Sequence, residues 1–310
     1  MVIQPNETSP ILTLLPMFIV INLIFILSSL LLGQPEYFLQ VALTVVIVFF
    51  IGMPHGALDV IMINRLGRQF TRQYQKLNKR LWVFILATVY VVIVIVSWYA
   101  WLLSPTVCLA LFLGIATIHF RHDWRFAPNE LSKFCIALIT ITLPSLSSPE
   151  LLQQYFGALG ASPERVMIVI RGMQVCVSVS MIYCILKFMS SIQRQSLFIW
   201  LAALTLSACL LPPLLYFCTY FCAVHSILHT LQIKEQNKLS WFNVAKVTLI
   251  PMAGTAVLLA IFFVALRDGD LSDLLLQVTF IGLFALTVPH MLLTLVYDAS
   301  LSTQRSCESK

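Results

Sequence analysis

Six histidines, His55, His119, His122, His225, His229 and His290, are the residues of this chain best suited to chemistry. Each lies in or beside a long apolar run, where an ionisable group is costly and usually marks function. A lone imidazole in such a run is more often a neutral packing residue, so the argument is collective. In His225-Ser226-Ile227-Leu228-His229 the two imidazoles project from one helical face, one turn apart. Two histidines at that spacing can share a metal ion. His55 and His119, from two other runs, extend the pair to a four-imidazole cluster. Imidazole suits iron, zinc, copper and nickel alike, so ligand type does not choose the metal. A centre with few anionic ligands in an apolar cavity suits Fe(II) with a position kept open for O2.

Asp59 follows His55 by one helical turn in Pro54-His55-Gly56-Ala57-Leu58-Asp59. Metal-bound histidines commonly donate their other N–H to a carboxylate, and Asp59 could hold a ligand in that way. Pairing with Arg65 at a helix end is the alternative. Gly56 suggests a position that something approaches closely. Pro54 and Pro289, each directly before a histidine, free backbone carbonyls that neighbouring groups must satisfy.

The elements that position these residues must be membrane helices. Hydrophobic residues make up 59% of the 310 positions and charged residues only 10%, and mean hydropathy is +0.91. Soluble domains carry roughly a quarter charged residues, which excludes an ordinary water-facing surface. A span needs roughly 20 apolar residues to cross roughly 30 Å of hydrocarbon. On that rule the expected spans are 11–33, 36–64, 81–103, 105–121, 131–147, 165–188, 196–212, 214–232, 242–266 and 272–297. The fold class is therefore an all-α polytopic bundle of about ten spans, a single integral membrane domain over 1–310 with an intramembrane metal site. Residues 1–10 lack the basic n-region of a secretory signal, so the run at Ile11 is expected to stay as a span.

Both termini are expected on the cytoplasmic side of a multi-pass protein of the cell (inner) membrane. That orientation puts sixteen of the 19 basic residues inside, leaving Arg165, Arg171 and Arg267 outside. It also places all six histidines in the cytoplasmic half of the bilayer, as one polar centre would require. A basic polar loop is expected from Arg65 to Arg80, and a short interfacial helix from Leu151 to Leu159. The net charge of +6 is parcelled between apolar runs rather than gathered on one module, which argues against nucleic acid. The eight cysteines lie mostly in apolar runs and read as packing residues. Cys218 and Cys222, one turn apart, could touch zinc, although their neighbours are apolar.

Gly52-Met53-Pro54-His55-Gly56-Ala57-Leu58-Asp59, His119-Phe120, His225-Ser226-Ile227-Leu228-His229 and Pro289-His290-Met291 occur in this order. Together they resemble the Brp/Blh family, the bacteriorhodopsin-related membrane β-carotene 15,15′-dioxygenases, over about residues 40 to 300. The resemblance implies an Fe(II)-dependent oxidoreductase that cleaves the central double bond of β-carotene with O2 to give two molecules of retinal. By motif, the iron ligands and catalytic residues would be His55, His119, His225 and His229. Asp59, His290 and His122 would stand around them, with His290 either a further ligand or a supporting group. The bilayer would supply the substrate, and retinal production would link the protein functionally to a rhodopsin. The aromatic run Tyr216–Phe221 suits packing or an interface belt better than a substrate tunnel.

The chain also departs from the family pattern. Arg121-His122-Asp123-Trp124 follows the His119-Phe120 pair, where relatives carry a small residue and an acid. Val224 and Leu228 stand where relatives tend to have Trp and Arg. These departures admit a divergent enzyme acting on another carotenoid or an apocarotenoid. Membrane di-iron desaturases and hydroxylases fit less well, because this chain has six histidines and no adjacent pair. A metal or solute carrier without oxygenase activity is the non-enzyme alternative. Carriers usually show broken helices at the midplane and internal symmetry, and no repeat is evident here.

Overall fold

The computed structural model describes residues 10–74, 77–188, 195–265 and 269–308, which are helical with no strand among them. The chain runs through α1 (Pro10–Leu32), α2 (Tyr37–Ile47), α3 (Met53–Ala57), α4 (Asp59–Tyr74) and α5 (Lys79–Leu103). Next come α6 (Pro105–Phe120), α7 (Glu130–Thr142), α8 (Pro144–Ser147), α9 (Pro149–Ala158) and α10 (Pro163–Phe188). The remaining helices are α11 (Gln195–Leu210), α12 (Pro213–Tyr220), α13 (Ile227–Gln236), α14 (Trp241–Ala265) and α15 (Leu271–Glu308).

Local chemistry sets many of these starts. Proline opens α6, α8, α9, α10 and α12, where its missing N–H costs nothing and its fixed φ suits a first turn. Asn78 and Asn129 cap α5 and α7, their side-chain oxygens accepting from Leu81 N at 2.9 Å and Ser132 N at 2.7 Å.

Among the described residues, nine helical stretches are long and apolar enough to cross a membrane. They correspond to nine of the ten expected spans. The tenth, expected at 196–212, is the shorter apolar helix Gln195–Leu210. Several outer faces are apolar and exposed, with Leu32 at 87% and Leu103 at 83%. Such faces suit hydrocarbon rather than water. Lys76, Arg194, Arg267 and Lys310, four of the basic residues in the expected charge asymmetry, lie outside the described residues.

The loop expected from Arg65 to Arg80 is mostly helix, because α4 continues to Tyr74. Its sequence is amphipathic: Met62, Ile63, Leu66 and Gly67 are buried against the bundle while Arg68 and Arg72 are exposed. A Cβ on Gly67 would stand 2.7 Å from Val83 Cγ2, so glycine there lets α4 lie close along α5. The short helix expected between spans five and six is α9.

Two apolar cores flank the centre of the bundle. One is built around Trp124, Trp200, Ile136 and Leu204, the other around Trp101, Leu109, Ile170 and Phe284. Interhelical hydrogen bonds cross these layers. Tyr216 Oη donates to Thr140 O at 2.8 Å, Tyr155 Oη to Gln40 Oε1 at 2.6 Å, and Gln277 Nε2 to Ala158 O at 2.7 Å. Ser207 and Asn22 join α11 to α1. With no water to compete, such bonds hold helices that lipid would otherwise solvate equally well apart.

Two short π-helical segments interrupt this regular packing. One, Val48–Gly52, joins α2 to α3, and the other, Phe221–Ser226, joins α12 to α13. They pack on each other. A Cβ on Gly52 would stand 2.8 Å from Phe221 Cε1 and 3.3 Å from Cys222 Sγ, so only glycine permits this approach. The sequence reading assigned the close approach to Gly56 instead. Nothing lies within 4 Å of a Cβ built on Gly56, which faces the cavity described below. Helices with π-turns are often deformed at functional sites, and each of these turns delivers a histidine.

Candidate metal centre

The π-turn ending at Gly52 leads directly into His55, and Gly52 O pairs with His55 Nδ1. That bond places the proton on Nδ1 and leaves Nε2 as the available ligand atom. His119 stands in the last turn of α6. His225 lies within the second π-turn, His229 in the first turn of α13, and His290 follows Pro289 in α15. Five elements thus carry five imidazoles to one place.

The rings are in mutual contact. Centroids lie 4.6 Å apart for His119 and His225, 5.0 Å for His119 and His290, and 5.3 Å for His55 and His225. His229 lies 5.6 Å from His55 and 5.5 Å from His290. The ligand atoms of His55, His119 and His290 fall within 4.8 Å of one another. The sequence reading selected His55, His119, His225 and His229 as the ligand set; the structure gathers these four and adds His290 among them. His122 does not join. It is exposed, and its Nδ1 lies 3.2 Å from His119 O, outside the cluster.

Two carboxylates hold two of the rings. Asp59 does not turn to Arg65, whose guanidinium donates to Tyr297 Oη at 2.7 Å. Instead Asp59 accepts from His290 Nδ1 at 2.8 and 2.9 Å and from Tyr90 Oη at 2.9 Å. Asp123 accepts from His225 Nδ1 at 2.9 and 3.1 Å and from Tyr220 Oη at 2.9 Å. Asp123 sits in the 3-10 turn Arg121–Trp124 directly after α6, the segment that had read only as a departure from a familial pattern. Sequence reasoning passed over Asp123, Tyr90 and Tyr220. An acid four residues after His119 was a usable signal; nothing in the sequence ties Tyr90 to residues so distant.

The donor set fits a metal ion. Nε2 of His119, His225 and His290 and Nδ1 of His229 are buried with no hydrogen-bond partner. An unsatisfied buried polar atom costs about 1–3 kcal/mol, so four bare nitrogens on rings packed against one another would be expensive without a partner for their lone pairs. Cys218 and Cys222 are buried free thiols, and neither belongs to a metal-competent group among the described residues.

Three of the imidazoles, those of His55, His119 and His290, form part of the wall of a cavity of about 560 Å3. Much of the remaining lining is aromatic or aliphatic, including Phe112, Tyr216, Phe217, Phe221, Phe280 and Leu283. The run Tyr216–Phe221, which had read as packing, therefore supplies cavity wall through Tyr216, Phe217, Tyr220 and Phe221. Phe217 stacks on Phe221 at 5.0 Å with 12° between the planes, presenting a flat apolar face.

Residues 46–298, which include all six histidines, match the family described as beta-carotene 15,15'-dioxygenase. The chain belongs to that family. A relative named beta-carotene 15,15'-dioxygenase, from an uncultured marine bacterium, 66A03, is 30% identical over 262 residues. The match covers 80% of this chain and 90% of the relative. No solved structure matches the chain. In this family member the five-imidazole cluster, the two Tyr–Asp pairs and the apolar cavity belong to one site.

Proposed function

We propose that this protein cleaves β-carotene at its central 15,15′ double bond, adding both atoms of O2 to yield two molecules of retinal. One observation carries the reading: His55, His119 and His290, the last two with unpartnered Nε2 atoms, form part of the wall of a largely apolar cavity of about 560 Å3. That volume lies in the usual range for small-molecule sites, roughly 300–1,000 Å3. An aqueous ion would find little to hydrate it along such walls, whereas a rigid hydrocarbon polyene would find apolar contact throughout.

The metal we assign is Fe(II), held by His55, His119, His225 and His229. When bound, it supplies the redox chemistry that lets O2 react with a closed-shell polyene. The chain's own residues do the rest. Phe217, Phe221 and Phe280 provide flat surfaces that align the polyene and exclude water. Asp59 and Asp123 keep a proton on Nδ1 of His290 and His225, fixing which nitrogen faces the cluster. Tyr90 and Tyr220 direct their hydroxyl protons to those carboxylates rather than to the cavity.

The substrate arrives from the bilayer. Val91 on α5 is 52% exposed and Ile250 on α14 is 80% exposed, yet both also line the cavity. A residue that does both marks where the cavity meets lipid, so the portal lies between α5 and α14. With both termini in the cytoplasm, as the basic residues favour, the centre sits in the inner half of the cell membrane. Retinal released there is available to a membrane retinal-binding protein of the rhodopsin type.

The test is expression in a bacterium that accumulates β-carotene, with pigments resolved by chromatography and a His225→Ala, His229→Ala variant alongside. Retinal formed at the expense of β-carotene only by the unmodified protein is the expected result. Unchanged β-carotene in folded, iron-loaded protein would exclude this substrate and favour another carotenoid, an apocarotenoid or a carrier role.

A further inference from the structure

We infer that His290 is itself a metal ligand, held in position by Asp59 and Tyr90 in an arrangement that repeats the Tyr220–Asp123–His225 branch. The inference rests on the reading of the imidazole cluster as a metal centre. It extends the motif-derived ligand set by one residue from the last helix.

Three observations carry it. The first is position: His290 Nε2 is buried and unpartnered, and its ligand atom belongs with those of His55 and His119 in the group that closes to within 4.8 Å. The second is tautomer. Asp59 takes the Nδ1 proton at 2.8 and 2.9 Å, which leaves a free lone pair on Nε2, the atom turned toward the other rings. The third is repetition. Asp59 and Tyr90, on α4 and α5, do for His290 on α15 what Asp123 and Tyr220 do for His225. The two branches use the same three residue types in the same hydrogen-bond order but draw them from different helices.

A purely structural His290 would account for the Asp59 bond, which ties α4 to α15. It would not account for the bare Nε2 of a ring packed against the imidazoles of His55, His119 and His229. The two roles also predict different losses. A brace would lower the stability of the metal-free protein, whereas a ligand would lower metal retention in protein that still folds.

The experiment uses the purified full chain, loaded with Fe(II) under anaerobic conditions and challenged with a graded chelator. Retained iron is measured by mass spectrometry, and the spin-resonance spectrum of the nitric oxide adduct reports the ligand field. His290→Gln and Asp59→Asn should each weaken iron retention, roughly 10- to 100-fold for the carboxylate change, and both should alter the spectrum. Tyr90→Phe should shift retention in the same direction by less, and exposed His122→Ala should leave it unchanged. The metal-free melting temperature of His290→Gln should match that of the metal-free parent. Wild-type retention and spectrum in His290→Gln would overturn the assignment while leaving the metal centre standing. An unmodified chain that holds no Fe(II) would overturn the metal centre as well. If His290→Gln fails to fold, Asp59→Asn and Tyr90→Phe give the same reading from the supporting side.

Discussion

The carboxylate of Asp123 lies 2.9 and 3.1 Å from Nδ1 of His225, a residue 102 positions away in the chain. A 3-10 turn at the end of α6 thus sets the tautomer of a ring carried by a π-turn two helical hairpins later. Replacing Asp123 by Asn keeps the size and removes the charge. The expected outcome is a roughly 10- to 100-fold loss in metal affinity or retinal formation with the fold retained. Iron content per chain and the rate of retinal formation, measured on the same preparation, check it. Undiminished values for both would show that the carboxylate is dispensable.

The two glycines of the first motif should behave oppositely. Gly52→Ala drives a methyl group to 2.8 Å from Phe221 Cε1, and overpacking of this kind costs about 1–3 kcal/mol. It should lower the melting temperature in detergent and disturb His55 and His225 together, because both hang from the two π-turns. Gly56→Ala meets nothing within 4 Å and should leave stability nearly unchanged. Equal effects of the two substitutions would contradict the packing of the π-turns.

Tyr155 provides a test of the polar contacts between helices. Its hydroxyl is the donor to Gln40 Oε1 at 2.6 Å, in a buried contact between α9 and α2. Tyr155→Phe leaves that oxygen without its partner, at an expected cost of about 1–3 kcal/mol. Denaturation in mild detergent, compared with Tyr99→Phe on an exposed face, measures the difference.

If carotenoid enters between α5 and α14, bulk at that opening should slow turnover without touching the metal. Val91→Trp and Ile250→Trp are predicted to reduce retinal formation from β-carotene embedded in vesicles, while iron content and melting temperature stay at parental values. A Leu32→Trp control, on the exposed face of α1, should have no effect. Full activity in both portal variants would place the opening elsewhere.

Composition and the histidine pattern made the class of fold and the chemical centre legible. Apolar runs long enough to span a bilayer must be helices, because no other open structure satisfies its own backbone in lipid. The four-residue spacing of His225 and His229 sets both on one face whatever surrounds them. Elsewhere local pattern misled. The segment from Arg65 read as loop because its charges hid Leu66 and Gly67, which continue the buried stripe of Met62 and Ile63 and whose burial only packing against α5 and α15 reveals.

The sequence by itself determined that this chain is a membrane helix bundle with imidazoles in or beside its apolar runs, since hydropathy and helical periodicity are local properties of neighbouring residues. The tertiary structure decided which partner each imidazole takes. Asp59 joins His290 across 231 positions, and Gly52 lets Phe221 approach closely. Such pairings depend on how helices cross and how closely their backbones approach, and in lipid that is settled by packing and interhelical hydrogen bonds between distant segments.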